Sequence, residues 1–247
     1  MFIVSMYNLK GGVGKTASSV NFAHMAASDG FKTLLWDFDP QGAASFYFKA
    51  KATAGSDNAK NIDADVALSS AIVCTEYEGL DIIPADHSAN NQDFLHDGKY
   101  GSKEEFKKLL EEVLYVYDYV FFDCPPGFSN IADNVFSASD MVVMPVIPTT
   151  LSVRTYEQVI QHFVSKSIAL AKLRCFFSMV DSRKNMHKST MKTLDTDNRF
   201  FDHYIPYLSD IEKMGLKNAP VTAYSPSGYA TVCYRALWDD IRAAAGV

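Results

Sequence analysis

The sequence predicts an α/β fold built on a mainly parallel, twisted sheet with helices on both faces. Apolar runs of strand length alternate with helix-length stretches along the chain, the order that right-handed β–α–β crossovers require. Two of these runs, Lys32 to Phe38 and Tyr119 to Asp123, are almost wholly apolar, as strands covered on both faces must be. A glycine-rich turn stands between the first strand and the first helix, at the sheet edge where parallel folds bind ligands.

The elements follow in order. Phe2 to Tyr7 reads as a strand and Thr16 to Ser28 as a helix, stopped by Asp29-Gly30, where glycine takes the left-handed capping position. Lys32 to Phe38 is the second strand. Residues 43–75 are weakly periodic and are expected to form a surface excursion. Leu80 to Pro84 is a short strand, and Ser102 to Val116 a helix with Ser102 and Glu105 in capping-box spacing. Strands are expected at Tyr119 to Asp123, Met141 to Ile147, Arg174 to Val180 and His203 to Pro206, with a helix from Ser152 to Val164 and a last one from Tyr229 to Ala245. No internal repeat interrupts this order, and residues 1–247 read as one domain.

Composition narrows the class. Seventeen Phe and thirteen Tyr imply a large core and exclude disorder over most of the length. The four cysteines are scattered without a C-x-x-C pair, which argues against a disulfide framework and fits a reducing cytosol. No stretch approaches the roughly 18 apolar residues of a membrane span, and the N-terminus lacks a basic leader. A cytoplasmic protein is expected. Residues 1–150 carry ten Lys/Arg against twenty Asp/Glu, whereas residues 151–247 carry thirteen against nine. A basic face on an acidic protein could meet an anionic polymer, or could be ordinary solvated charge.

The strongest signal is Lys10-Gly11-Gly12-Val13-Gly14-Lys15-Thr16. Glycines let successive N–H groups converge on a phosphate without a Cβ in the way, and the following helix adds its positive end. Lys15 supplies charge for the β- and γ-phosphates, and Thr16 is placed to ligate Mg²⁺. The chain is therefore expected to have a P-loop NTPase fold. The ordinary Walker A pattern has a glycine where this chain has Leu9, and a second lysine, Lys10, follows. Asp123 ends the strand YVFFD as a Walker B aspartate does, and Cys124-Pro125-Pro126-Gly127 makes a stiff turn able to sense the γ-phosphate. Strand alternation puts Asp37 and Asp39 on one face. Asp39, at the strand exit, could orient or deprotonate an attacking water, leaving Asp37 a structural contact.

These segments, with EGLDIIPA, DFDPQGAAS, SDMVVMPVIPT, FSMVDSRKN and YIP in the same order and spacing, resemble the ParA branch of the ParA/MinD ATPases. The resemblance covers most of the chain and fades in residues 43–75. It implies ATP and Mg²⁺ as cofactors and a sandwich homodimer in the ATP state. It also implies nonspecific DNA as a binding partner, hence nucleoid association, and a ParB-like or cargo-adaptor protein that stimulates slow hydrolysis. The cargo could be a plasmid, a chromosome or a protein assembly. Carried over by position, Gly11, Gly12, Val13, Gly14, Lys15, Thr16 and Ala17 form the nucleotide loop, and Lys10 reaches the partner's phosphates. Lys10, Lys15 and Asp39 are the catalytic set, with Thr16, Asp39 and Asp123 at the metal. Asp181, Arg183 and Pro206 fall where the family builds its base and ribose pocket, although Met179 or Asp181 could equally be an ordinary strand-end residue.

One departure concerns DNA. Relatives carry arginines after the Ile-Pro pair, whereas this chain has Tyr207-Leu208-Ser209-Asp210-Ile211-Glu212. Arg183, Lys184, Lys188 and Lys192 at helical spacing, with Lys213 and Lys217, are the substitutes; a solvated helix face is the plain alternative. With nine residues before Lys10, no operator-binding helix-turn-helix is expected. A MinD-like membrane ATPase would need a basic amphipathic tail, but Leu237, Trp238 and Ile241 read as a core-facing stripe. An iron–sulfur ATPase would need cysteines around a shared cluster. An amidating synthetase would need a substrate domain for which the length leaves no room.

Overall fold

The computed structural model describes residues 1–51, 68–85, 103–111, 113 and 115–246, the side chain of Glu105 excepted. Ser102 and the Glu105 side chain, the expected capping pair, lie outside the described residues, as do residues 52–67 of the expected excursion.

Among the described residues, seven strands make one sheet: β1 (Phe2–Met6), β2 (Thr33–Asp37), β3 (Val73–Cys74), β4 (Leu80–Ile83), β5 (Tyr119–Asp123), β6 (Met141–Val146) and β7 (Leu173–Phe177). Their order is β3-β4-β2-β5-β1-β6-β7. All pairings are parallel except β3 with β4 at the edge. The carboxyl ends of β1, β2, β5, β6 and β7 therefore share one edge, and the register sets Asp123 of β5 beside Met6 of β1 and Asp37 of β2.

Period-two alternation sorts each strand between two cores. In β5, Val120 and Phe122 face one core and Tyr119 and Phe121 the other; in β2, Leu34 and Trp36 oppose Leu35. The first core is roofed by α3 (Lys103–Glu111), α4 (Asn130–Ala138) and α5 (Thr150–Ser165), and holds the stacked rings of Trp36 and Phe38 against Phe106 and Phe122. The second lies under α1 (Lys15–Ser28) and α10 (Tyr229–Ala245), where Phe22 meets Tyr234 and Trp238. The expected C-terminal stripe is there, with Leu237, Trp238 and Ile241 fully buried. Asp29 at the end of α1 ties the two helices together. It accepts from Arg235 at 2.7 Å and from the Trp238 indole at 2.9 Å, while Gly30 (φ +91°) makes the expected left-handed exit.

The structure departs from the sequence reading in several places, among them the edge strand β3 inside the expected excursion and the helix α3, which ends at Glu111 and not Val116. The helix α4 was not expected; Ser129 caps it, its Oγ accepting the Ala132 N–H at 3.1 Å. The segment 43–51 is not wholly an excursion, because α2 (Ala43–Tyr47) buries Ala44 and is followed by a buried Phe48. The seventh strand stops at Phe177 rather than Val180, since Met179 has φ +52° and strand backbone needs a negative φ. His203 to Pro206 is no strand. It makes one bridge, Val180 to Pro206, while His203 is drawn to Asp240 of α10 by both its N–H (3.2 Å) and its ring (3.0 Å). Beyond β7 lie α6 (Asn185–Leu194) and the short helices α7 (Ser209–Glu212), α8 (Met214–Lys217) and α9 (Val221–Tyr224).

Candidate functional site

The chain leaves β1 at Met6 and re-enters regular structure at Lys15, the first residue of α1. Gly12 (φ +70°) and Gly14 (φ +95°) provide the left-handed backbone this reversal needs. Gly14 is also the helix N-cap and has no side chain with which to cap it, so the first-turn N–H groups are left for a ligand. A Cβ on Gly14 would stand 2.9 Å from Ser178 Oγ, so the loop packs tightly against the end of β7. Val13 is buried, Gly11 and Gly12 are exposed, and Thr16 and Ala17 are half-buried.

Lys15 is 6% exposed, and its Nζ donates to the Lys10 carbonyl at 3.0 Å. Burial lowers its pKa, and the carboxylates of Asp123 and Asp39 oppose that. Asp39 therefore lies within electrostatic reach of the ammonium although it stands outside the strand, where its Oδ1 accepts the Gln41 N–H at 3.0 Å. Asp37 is committed elsewhere. Its carboxylate accepts from Ser45 N–H (2.9 Å), Ser45 Oγ (2.7 Å) and Asp39 N–H (3.2 Å), pinning the turn that follows β2. Burial raises its pKa despite these bonds.

Asp123 is fully buried. Desolvation, then the neighbouring Asp37 charge, push its pKa up to about 7, against the stabilising Thr16 and Ser19 hydroxyls and Lys15. Ser19 Oγ donates to Oδ1 at 3.0 Å, while Oδ2 has no hydrogen-bond partner among the described residues. A buried carboxylate oxygen with an open acceptor, beside a hydroxyl and an ammonium, suits a cation carrying phosphate. On this observation the residues present fit Mg²⁺-nucleotide.

The turn after β5 is held from two sides. Tyr7 Oη donates to the Gly127 carbonyl at 3.1 Å, and the Phe128 ring stacks on His162 with centroids 3.9 Å apart. His162 Nε2 in turn meets Asp133 Oδ1 at 2.6 Å. Beside this turn, Leu9, Gln158 and Gln161 help to line a shallow recess of about 620 Å³. Cys124 is buried and its thiol pushed well up by that burial, as for a small core residue.

The expected base-pocket residues converge in part. The Val180–Pro206 bridge brings the segments holding Asp181 and Pro206 together beyond β7. Arg183, 87% exposed, makes two bonds to the Asp181 carboxylate (2.9 and 3.0 Å) and holds its pKa well below the usual range. Lys184, Lys188 and Lys192 are exposed on α6 and its N-cap and form no ion pair among the described residues. Lys213 is paired to Asp210 at 2.8 Å, and Lys217 is exposed.

Sequence reasoning missed Asn8, Tyr7, Ser19 and Ser178. Ser19 had a signal, lying one helical turn after Lys15 on the face that meets β5. The others depend on contacts more than a hundred residues distant.

The sequence profile of the family described as AAA domain matches residues 1–200. Two Soj proteins match over nearly their whole lengths. The sporulation initiation inhibitor protein Soj of Bacillus subtilis is 27% identical over 98% of both chains. The chromosome-partitioning ATPase Soj of Treponema pallidum is 28% identical over 97% of this chain and 96% of that one. Among solved structures, a candidate plasmid partition protein of Borrelia burgdorferi bound to AMPPNP has TM-score 0.82 and 24% identity, covering 97% of this chain and 98% of that one. A Mycobacterium smegmatis chain described as cobyrinic acid a,c-diamide synthase, bound to an ATP analogue and magnesium, reaches TM-score 0.78 at 22% identity over 97% and 93%. Length alone therefore does not separate the synthetase reading, and the separation rests on the Soj relatives. With its phosphate loop, its paired lysines and this profile match, the chain belongs to the AAA domain family and is a ParA-type ATPase.

Proposed function

We propose that this ATPase is a nucleotide-switched homodimer that binds DNA without sequence preference and partitions or positions a cargo when an activating partner stimulates hydrolysis. The observation that carries the reading is Lys10 standing beside a complete phosphate loop whose own charge is already supplied by Lys15. A second lysine there has no phosphate of its own subunit left to serve, and the resemblance to ParA assigns it to the partner's nucleotide.

MgATP supplies the transferable phosphoryl group and the divalent charge. The Gly11 to Ala17 loop and Lys15 would hold the phosphates, Thr16, Asp39 and Asp123 would hold Mg²⁺, and Asp39 would orient the attacking water and accept its proton. Asp181, Arg183 and Pro206 border the base and ribose. Lys184, Lys188, Lys192 and Lys217 form the DNA face. Lys213 joins it by exchanging its exposed partner Asp210, worth little in water, for phosphate, and Arg183, itself 87% exposed, joins it by turning from Asp181.

Retention of the full chain on nonspecific duplex DNA tests this, with ATP, with ADP and across salt. ATP-dependent retention is expected, and reversing Lys184, Lys188 and Lys192 to Glu should weaken it and reduce the log–log salt slope by about three. A response that is flat across nucleotide and salt would leave α6 a surface for protein alone.

A further inference from the structure

The phosphate loop begins at a side chain that takes over from the sheet. The last main-chain bond of the β1–β6 ladder runs from the Tyr7 N–H to the Val143 carbonyl at 3.0 Å. Beyond it the backbone turns away, and Asn8 continues the ladder with its amide. Asn8 Nδ2 donates to the Pro145 carbonyl of β6 at 2.7 Å, and Oδ1 accepts the N–H of Lys10 at 2.9 Å. The side chain is 1% exposed. Its orientation is fixed by chemistry, because a carbonyl needs the NH₂ end and an N–H needs the oxygen.

The bond from Oδ1 to the N–H two residues on is an Asx turn, which sets the backbone between Asn8 and Lys10. The other polar group of the Lys10 main chain, its carbonyl, is held by Lys15 Nζ. Bound phosphate competes for that ammonium, so Asn8 is the anchor of Lys10 that outlasts nucleotide binding.

We infer that Asn8 is a positioning residue for Lys10, fixing the direction in which the second lysine leaves the loop by tying it to the buried strand β6. This rests on the reading that Lys10 acts on the partner's nucleotide. An asparagine serving only to satisfy the Pro145 carbonyl would support the fold without working through Lys10, and a double-mutant cycle separates the two roles.

The experiment measures steady-state ATPase activity and ATP-dependent dimerisation of the full chain as wild type, Asn8→Ala, Asn8→Ser, Lys10→Ala and Asn8→Ala with Lys10→Ala, with ADP affinity as the check on folding. We expect Asn8→Ala to lower kcat about tenfold or more with KM for ATP within about threefold, and the double variant to be no worse than Lys10→Ala. Asn8→Ser, whose hydroxyl can accept from the Lys10 N–H but is too short to hold the Pro145 carbonyl as well, should recover only part of the loss and stay about three- to fivefold below wild type. Losses that add in the double variant, or a raised KM at unchanged kcat, would overturn the assignment. If Asn8→Ala does not fold, the same cycle is run with Asn8→Ser, judged by the same criterion of additivity. Normal dimerisation and turnover in Lys10→Ala would instead defeat the reading of Lys10 itself, whereas an impaired Lys10→Ala beside a normal Asn8→Ala would defeat only the role of Asn8.

Discussion

The phosphate loop and the basic stripe along α6 both present lysines, yet the molecule holds them in opposite ways. In the loop, Lys15 is buried and bonded to the Lys10 carbonyl, and Gly14 abuts Ser178. On α6, Lys184, Lys188 and Lys192 stand exposed. Burial makes the loop specific, because each buried group needs a defined partner and a substitution leaves another group unpaired. Exposure makes the stripe tolerant, because attraction to a phosphate polymer needs charge and only loose geometry. The proposed DNA face therefore tolerates the missing arginines near residues 207–212, whereas the phosphate loop tolerates no displacement.

That contrast can be broken at its strong end first. Lys15→Ala should lower nucleotide affinity by about a hundredfold or more, since the remaining N–H groups carry no full charge; calorimetric titration that still gives micromolar ATP affinity would dismiss the loop's assigned role. Asp39→Ala should bind ATP and dimerise while losing turnover by roughly two to four orders of magnitude, the usual reach of a general base. Normal hydrolysis in that variant would move the base elsewhere. The α6 charge reversals come next, their loss graded by salt. A single lysine there should change DNA affinity by less than about tenfold, as one phosphate contact among several does.

A separate effect, on stability and not on function, lies beside the second core. His24 packs on Tyr77 and meets Thr222 Oγ1 at 2.9 Å. Burial, then the Arg235 charge, push its pKa down to about 4. The unfolded chain, with a histidine near 6.5, binds the extra proton more readily, so stability falls as pH drops from above 6.5 toward 4. The histidine accounts for at most about 3 kcal/mol of that fall at 1.36 kcal/mol per pKa unit. Urea unfolding between pH 4 and 7 should give a shallower pH dependence for His24→Gln than for wild type; equal slopes would place the protonation elsewhere.

What the sequence disclosed follows the same division. The strands β1, β2, β4, β5, β6 and β7, with α1, the final helix and the glycine-lysine loop, were legible because local pattern and burial demand the same residues, whereas the two-residue edge strand β3 was not. The helix α4 was not, since its nine residues follow a Pro-Pro-Gly turn and only Ser129 marks its start. Met179 hid the end of β7, because FSMV is a good strand pattern until its backbone turns left-handed. Asn8 looked like any loop residue, as its partner Pro145 is 137 residues away. The pairings of Arg183 with Asp181 and of Lys213 with Asp210 were within reach of a local reading of charge spacing, and they reduce the unpaired basic residues on the proposed DNA face.

The central claim is that the second lysine makes the nucleotide site a dimer switch. Sedimentation velocity of wild type and Lys10→Ala, each with Mg²⁺ and either ATP or ADP, tests it most directly. Wild type should be dimeric with ATP and monomeric with ADP, while Lys10→Ala should bind ATP with near wild-type affinity and remain monomeric. A Lys10→Ala protein that dimerises with ATP as the wild type does would contradict the account.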